Sequence, residues 1–248
     1  NGPGATVLMM SKLLEKFNYN NILPDSFERF HLQSEITKVC YEEKESKLGD
    51  PNFTNIDVEK LLTDEFINIL FNKISIDKIY NPISSYITAH PETIYLTVVD
   101  RDLNAVSFIN SICYAFGSAI TSKNTGVLFQ NRGVNFRLEE NHPNAIAGNK
   151  KPLHTIIPGL LTDLNNNPIF SFGVMGGQYQ PIGQVHVLQN IYDFNMTVQE
   201  AIEFPRAFMI NGELKLEKGI ARNTYEALKK IGHNAIYDEN SIGGGQGI

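Results

Sequence analysis

Thr93 opens a run of β-branched and aromatic residues, Thr93-Ile94-Tyr95-Leu96-Thr97-Val98-Val99, directly after a stretch rich in Ser and Thr that carries Pro82 and Pro91. A threonine hydroxyl is a weak nucleophile until a nearby base takes its proton, so a lone threonine in this setting reads as the first residue of a strand. Gly176-Gly177 follows the apolar run Ile169 to Gly173. Paired glycines let backbone N–H groups come close to a ligand, and taken alone the pair reads as a tight turn. Gly243-Gly244-Gly245-Gln246-Gly247 has the glycine density of a phosphate loop, but no Lys-Ser/Thr follows, and a turn is expected there. Cys40 and Cys113 belong to no C-x-x-C or Cys/His cluster, which predicts two buried apolar thiols and neither a zinc site nor a disulfide framework. His154 stands alone, and a single histidine is more often structural than catalytic.

The elements that must position these residues follow from periodicity. Val7, Leu8, Leu13, Leu14 and Phe17 recur at helical spacing and predict a core-facing helix. A second helix is expected from about Ser26 to Lys44. A third follows the Leu48-Gly49-Asp50-Pro51-Asn52 turn, through Val58 to Leu62 and Phe66 to Leu70. From Thr93 the pattern changes to short strands, Thr93 to Asp100, Ala105 to Ile109, Gly126 to Phe129 and Ile169 to Gly173. Helices are then expected at Gln184 to Asp193, Thr197 to Ile202 and Ala221 to Ile231, the last closed by Gly232 as C-cap. Helices, then strands, then helices point to an α+β fold. Asn81 to Glu92 has the composition of a connector between the two halves.

With 248 residues, 42% of them hydrophobic and 19% charged, the chain is long enough to bury a core and falls outside the disordered and fibrous classes. No apolar window of about eighteen residues and no repeat is present, which excludes membrane-spanning helices and solenoids. The formal net charge of -6 gives no electrostatic footprint for nucleic acid. The opening Asn1-Gly2-Pro3-Gly4, without Met or a charged-then-apolar leader, reads as a processed product or a fragment; the compartment stays open, with cytoplasm favoured by the lack of a visible leader.

Seven short motifs, in order after the Thr93 to Ser107 run, carry a resemblance. They are Phe116-Gly117-Ser118, Gly126-Val127-Leu128, His142-Pro143-Asn144-Ala145, Lys150 to Thr155, Gly173-Val174-Met175-Gly176-Gly177, Ala201 to Arg206, and Leu216-Glu217-Lys218-Gly219. Together they resemble the small subunit of gamma-glutamyltransferases. Gly2 to Val7 and Leu48 to Phe53 resemble the end of that family's large subunit, so the resemblance covers essentially the whole chain. It implies an N-terminal nucleophile hydrolase with a four-layer αββα sandwich, of which this chain holds only part. Residues 1–92 would be the mainly helical end of the large subunit, closing in a processing linker, and residues 93–248 the small subunit carrying the nucleophile. Self-cleavage at Glu92-Thr93 would expose an α-amine beside the Thr93 hydroxyl. That amine, with an ordinary pKa of about 7.7–8.0, supplies the base that an amide nitrogen cannot. The resemblance further implies that Gly176 and Gly177 line an oxyanion site and that Ser111 contacts the nucleophile. No metal and no organic cofactor is implied.

The substrate-contacting positions depart from the transpeptidase pattern. Asn135 stands where an acidic residue is expected to hold the donor's ammonium group, Arg132 stands in a contact position, and His154-Thr155 replaces a serine pair. A neutral amide gives an ammonium no charge-assisted hydrogen bond, whereas a guanidinium suits a carboxylate. These motifs are similar to a branch containing oxamate amidohydrolase and acylase-like proteins. The leading expectation is therefore an autoprocessed amidohydrolase or acyltransferase working through a Thr93 acyl-enzyme. True gamma-glutamyl transfer from glutathione is the alternative, and an uncleaved, inactive binding module is the second. The expected partners are a small amide or gamma-glutamyl substrate and the two subunits of one precursor, with a homo-oligomer left open.

Overall fold

The computed structural model describes residues 1–19, 21–82 and 93–248. Most of the expected connector, Glu92 included, lies outside these residues. Helix α1 (Gly4–Leu14) buries Met9, Met10, Leu13 and Leu14. Leu8, expected on the same face, is exposed, and Phe17 lies beyond the helix end with its ring 5.0 Å from that of Phe71. Helix α2 (Phe27–Lys47) starts at Ser26, whose hydroxyl accepts from the Arg29 N–H, and is buried from Arg29 to Lys44 in spite of its polar composition. The expected third helix is two, α3 (Val58–Leu61) and α4 (Asp64–Phe71), because Asp57 and Thr63 each cap a separate start.

Strands β1 (Ile94–Val99) and β2 (Ala105–Asn110) form an antiparallel hairpin with Ile94 opposite Asn110 and Val99 opposite Ala105. Its turn is held by the Asp100 carboxylate, which accepts from the backbone of Asp102 and Asn104 and from the Asn104 amide, each at 2.9 Å. Gly126 to Phe129, expected as a strand, is not one. It folds back on residues 118–122 through three backbone hydrogen bonds of 2.9 Å and an isolated bridge between Thr121 and Leu128, but Gly126 takes a left-handed φ of 70° and Val127 and Phe129 are exposed, so the pairing ends as a tight turn rather than a strand.

The rest of the chain gives β3 (Gly159–Thr162), β4 (Pro168–Met175), α5 (Gln180–Tyr192), α6 (Val198–Glu203), β5 (Ala207–Ile210), β6 (Glu213–Leu216), α7 (Arg222–Ile231), β7 (Ala235–Tyr237) and β8 (Gly244–Gly247). One sheet has the order β3-β4-β8, all antiparallel; another has β5-β6-β7, with β6 and β7 parallel. The glycine run expected as a turn is thus strand β8. A Cβ on Gly247 would lie 2.7 Å from the Phe170 ring, and one on Gly243 2.4 Å from the Met175 carbonyl, so only glycine lets this segment lie against β4. Gly232 closes α7 in the left-handed conformation, as expected.

Alternation along β4 sets the layers. Ser171 and Gly173 face the hairpin: Thr97 donates to the Ser171 hydroxyl at 2.6 Å, and the Tyr95 ring fills the space a Cβ on Gly173 would take. Phe170, Phe172 and Val174 join a core with Met9 and Leu13 of α1, Ile36 and Val39 of α2, and Ile182 and Val185 of α5. Residues on both sides of the connector therefore share one core. A smaller core joins Phe30 to β5, β6 and α7. The architecture is α+β, and no helix among the described residues is long and apolar enough to cross a membrane.

Candidate active site

The hairpin register, continued by one step, sets Thr93 opposite Ser111 at the open end of the ladder. Thr93 is half-buried, and its hydroxyl accepts from the side-chain amide of Gln180 at 3.4 Å. Gln180 is fully buried at the start of α5, and its amide oxygen accepts from the Ile157 N–H at 3.2 Å. Gly176 and Gly177 form the turn from β4 toward α5, with φ of 133° and 58°. Both values favour glycine, and a Cβ on Gly176 would come within 2.9 Å of the Ile242 carbonyl. The tight turn expected from the glycine pair is present, and it leads directly to the residue that touches Thr93.

The Ser111 hydroxyl accepts from the Cys113 N–H at 3.2 Å, while its carbonyl accepts from Arg132 at 3.3 Å. Cys113 and Cys40 are buried free thiols, as expected, and burial pushes both thiol pKa values up. Arg132 begins a single 3₁₀ turn, Arg132–Asn135, is buried, and also donates to the Thr155 hydroxyl at 3.2 Å. No carboxylate pairs with Arg132 among the described residues. Burial lowers its pKa, which marks the penalty for keeping the charge away from water.

Asn135, His154 and Thr155 line one cavity of about 330 Å³, together with Asn144, Gln178 and Glu45. Asn135 uses its amide to donate to the Leu153 carbonyl at 3.0 Å. Burial, reinforced by nearby positive charge, pushes the His154 pKa down to about 4, and its Nδ1 is buried without a hydrogen-bond partner. Thr93, Ser111, Arg132, Gly176 and Gly177 are not among the lining residues of this cavity. One hydrogen bond joins the groups, Arg132 to Thr155, while Thr93 is linked through Gln180 to Ile157, two residues beyond the lining.

Gln180 and Glu45 were not singled out from the sequence. Gln180 gains its place only when α5 approaches the start of β1, and no local signal marks it. Glu45, on α2 and paired with Lys44 at 3.2 Å, and Glu139 bring carboxylates into the cavity where Asn135 offers none.

A sequence model described as gamma-glutamyltranspeptidase matches residues 1–248. The chain is 34% identical to the glutathione hydrolase-like YwrD proenzyme of Bacillus subtilis (strain 168), over 94% of this chain and 45% of that protein. It is 32% identical to the oxamate amidohydrolase proenzyme of Klebsiella pneumoniae subsp. pneumoniae, over 85% of this chain and 40% of that one. The crystal structure of cephalosporin acylase from Bacillus halodurans superposes with a TM-score of 0.86 and 34% identity, covering 100% of this chain and 45% of that one. The chain thus spans less than half the length of these relatives.

Proposed function

The chain belongs to the gamma-glutamyltranspeptidase family, and from that premise we propose that it carries the nucleophile of an autoprocessed amidohydrolase acting on small amides that bear an acid group. Cleavage of Glu92-Thr93 divides it into the end of a large subunit, residues 1–92, and a small subunit, residues 93–248. The freed α-amine of Thr93 takes the hydroxyl proton as Oγ bonds to the substrate carbonyl carbon. The N–H groups of Gly176 and Gly177 stabilise the oxyanion. The proton passes to the leaving nitrogen as the amide C–N bond breaks, and water or an amine then releases the acyl group from Thr93. Ser111, across the ladder from Thr93, and Gln180, donating to its hydroxyl, hold the nucleophile in place. The rest of a four-layer sandwich comes from protein outside this chain.

The observation that carries the substrate class is Arg132: a buried guanidinium held by a hydroxyl and a carbonyl, without an acid among the described residues, beside a cavity lined by Asn135, His154 and Thr155. An uncompensated buried charge is destabilising, and a substrate carboxylate relieves it. Support also comes from the names of two relatives, an oxamate amidohydrolase and a cephalosporin acylase. Glu45 favours a second reading, transfer from glutathione, because a carboxylate in the cavity suits an ammonium group. A panel of oxamate-like anionic amides, neutral amides and glutathione, assayed with the full-length protein and with Arg132→Ala, separates the two. The first reading expects preference for anionic amides and its loss in the variant; preference for glutathione establishes the second.

A further inference from the structure

A cluster of metal-ligating side chains lies apart from these residues. His31 and Glu35 stand one helical turn apart on α2, and His233 follows the C-terminus of α7; all three are fully buried or nearly so. His31 Nδ1 is 2.8 Å from His233 Nε2, and each of these atoms is 3.8 Å from Glu35 Oε1. A triangle with these sides has its centre about 2.0 Å from every corner, the bond length of zinc to imidazole nitrogen and to carboxylate oxygen, and parting the two rings by a few tenths of an ångström from their 2.8 Å hydrogen bond brings the three atoms to tetrahedral spacing around an ion just out of their plane. We propose that His31, Glu35 and His233 form a site for a divalent transition metal of the zinc type, with the fourth position open to water.

The surrounding bonds orient two of the three groups for this task, while His233 Nδ1 is buried without a hydrogen-bond partner. His31 Nε2 lies 2.7 Å from the Ser75 carbonyl, which can only accept, so Nε2 holds the ring proton and Nδ1 turns its lone pair toward the shared centre. This is the outer-shell arrangement that ligating histidines favour. Glu35 Oε2 accepts from the Tyr80 N–H at 2.6 Å, which fixes the carboxylate and directs Oε1 inward. Oε1 takes one polar contact, an ion pair with Lys38 Nζ at 2.6 Å. Two histidines and a carboxylate form a donor set that suits zinc, and a deep position excludes bulk water.

Lys38 is the competitor for Glu35. Its ammonium also donates to the Tyr80 carbonyl at 2.7 Å, and both Lys38 and His233 line a cavity of about 280 Å³. That cavity gives the lysine room to withdraw and water a route to the fourth position. The site ties Ser75 and Tyr80 to the middle of α2.

The test uses the full-length protein, stripped with a chelator and dialysed. Titration with Co²⁺ should give visible d–d bands that saturate at one ion per chain, and Zn²⁺ should displace them and raise Tm by several degrees. His31→Gln and His233→Gln should abolish the bands with secondary structure intact by circular dichroism. Lys38→Met should tighten Co²⁺ binding about tenfold or more, because it removes a charge next to the ion. Folded wild-type protein that gives no bands and no Tm shift in excess metal overturns the proposal, as do bands that survive both glutamine variants. Should those variants fail to fold, Lys38→Met decides: unchanged or weaker binding overturns the site.

Discussion

Arg132 keeps a full positive charge in a buried place with two neutral acceptors. Truncation to alanine should raise KM for anionic amides by about 10–100-fold, the loss of one charge-assisted contact, with a much smaller change for neutral amides. Steady-state kinetics on the two classes checks this, and an unchanged KM for the anionic class removes the assignment. Arg132→Lys should recover only part of the loss, since an ammonium cannot form the planar fork. Gly176 makes a second case. Its φ of 133° and the nearby Ile242 carbonyl leave no room for a Cβ. Gly176→Ala should lower kcat by about 10²–10³ if the turn aims an oxyanion donor, read beside Tm so that unfolding is not mistaken for lost catalysis. Thr93, Gly176 and Arg132 are candidates that type and order within motifs single out in the sequence. Gln180 is not among them, because an amide 87 residues from Thr93 acquires its meaning only through tertiary contact.

The hairpin β1–β2 positions Thr93, and it is held on the sheet by the Tyr95 ring against Gly173 and by hydroxyl bonds from Thr97 to Ser171 and from Ser107 to the Gly159 carbonyl. A Cβ at Gly173 would lie 2.3 Å from that ring, so Gly173→Ala must push the hairpin outward. Overpacking of this kind costs about 1–3 kcal/mol, which lowers Tm by roughly 2–10 °C for a chain of this size. Thermal unfolding of the variant checks it, and an unchanged Tm means the hairpin is free to shift. Elements with strong local signals were readable beforehand. The Asp102-Leu103-Asn104 turn marked the hairpin, Thr197 and Glu200 form a capping box that starts α6, and Gly232 ends α7. Strands β3, β5, β6 and β7 were missed because three or four residues carry no usable alternation. Strand β8 has the local sequence of a turn because its glycines answer to the bulk of Phe170 and Met175 on β4, which local sequence does not display.

At the scale of the molecule, burial of histidines makes stability depend on pH. His154 is held near a pKa of about 4 and His186 well below its ordinary value, both chiefly by burial. The unfolded chain therefore binds protons near pH 6.5 that the native state refuses until lower pH. Stability should be full above about pH 6.5 and fall as the pH drops toward 4, with a weaker fall in His154→Gln. Urea unfolding midpoints at several pH values test this, and a flat profile contradicts it. The single core shared by α1, α2, β4 and α5 has a further meaning: a cut ahead of Thr93 leaves two pieces joined by a buried interface. Composition and periodicity revealed the α+β class, but not this shared packing, which depends on contacts between residues far apart in sequence. The most direct measurement is the intact mass and N-terminal residue of the purified full-length protein, beside its Thr93→Ala variant. The account predicts two fragments meeting at Glu92 and Thr93 in the active protein and one unbroken chain in the variant; an uncut wild-type chain with full turnover would contradict it.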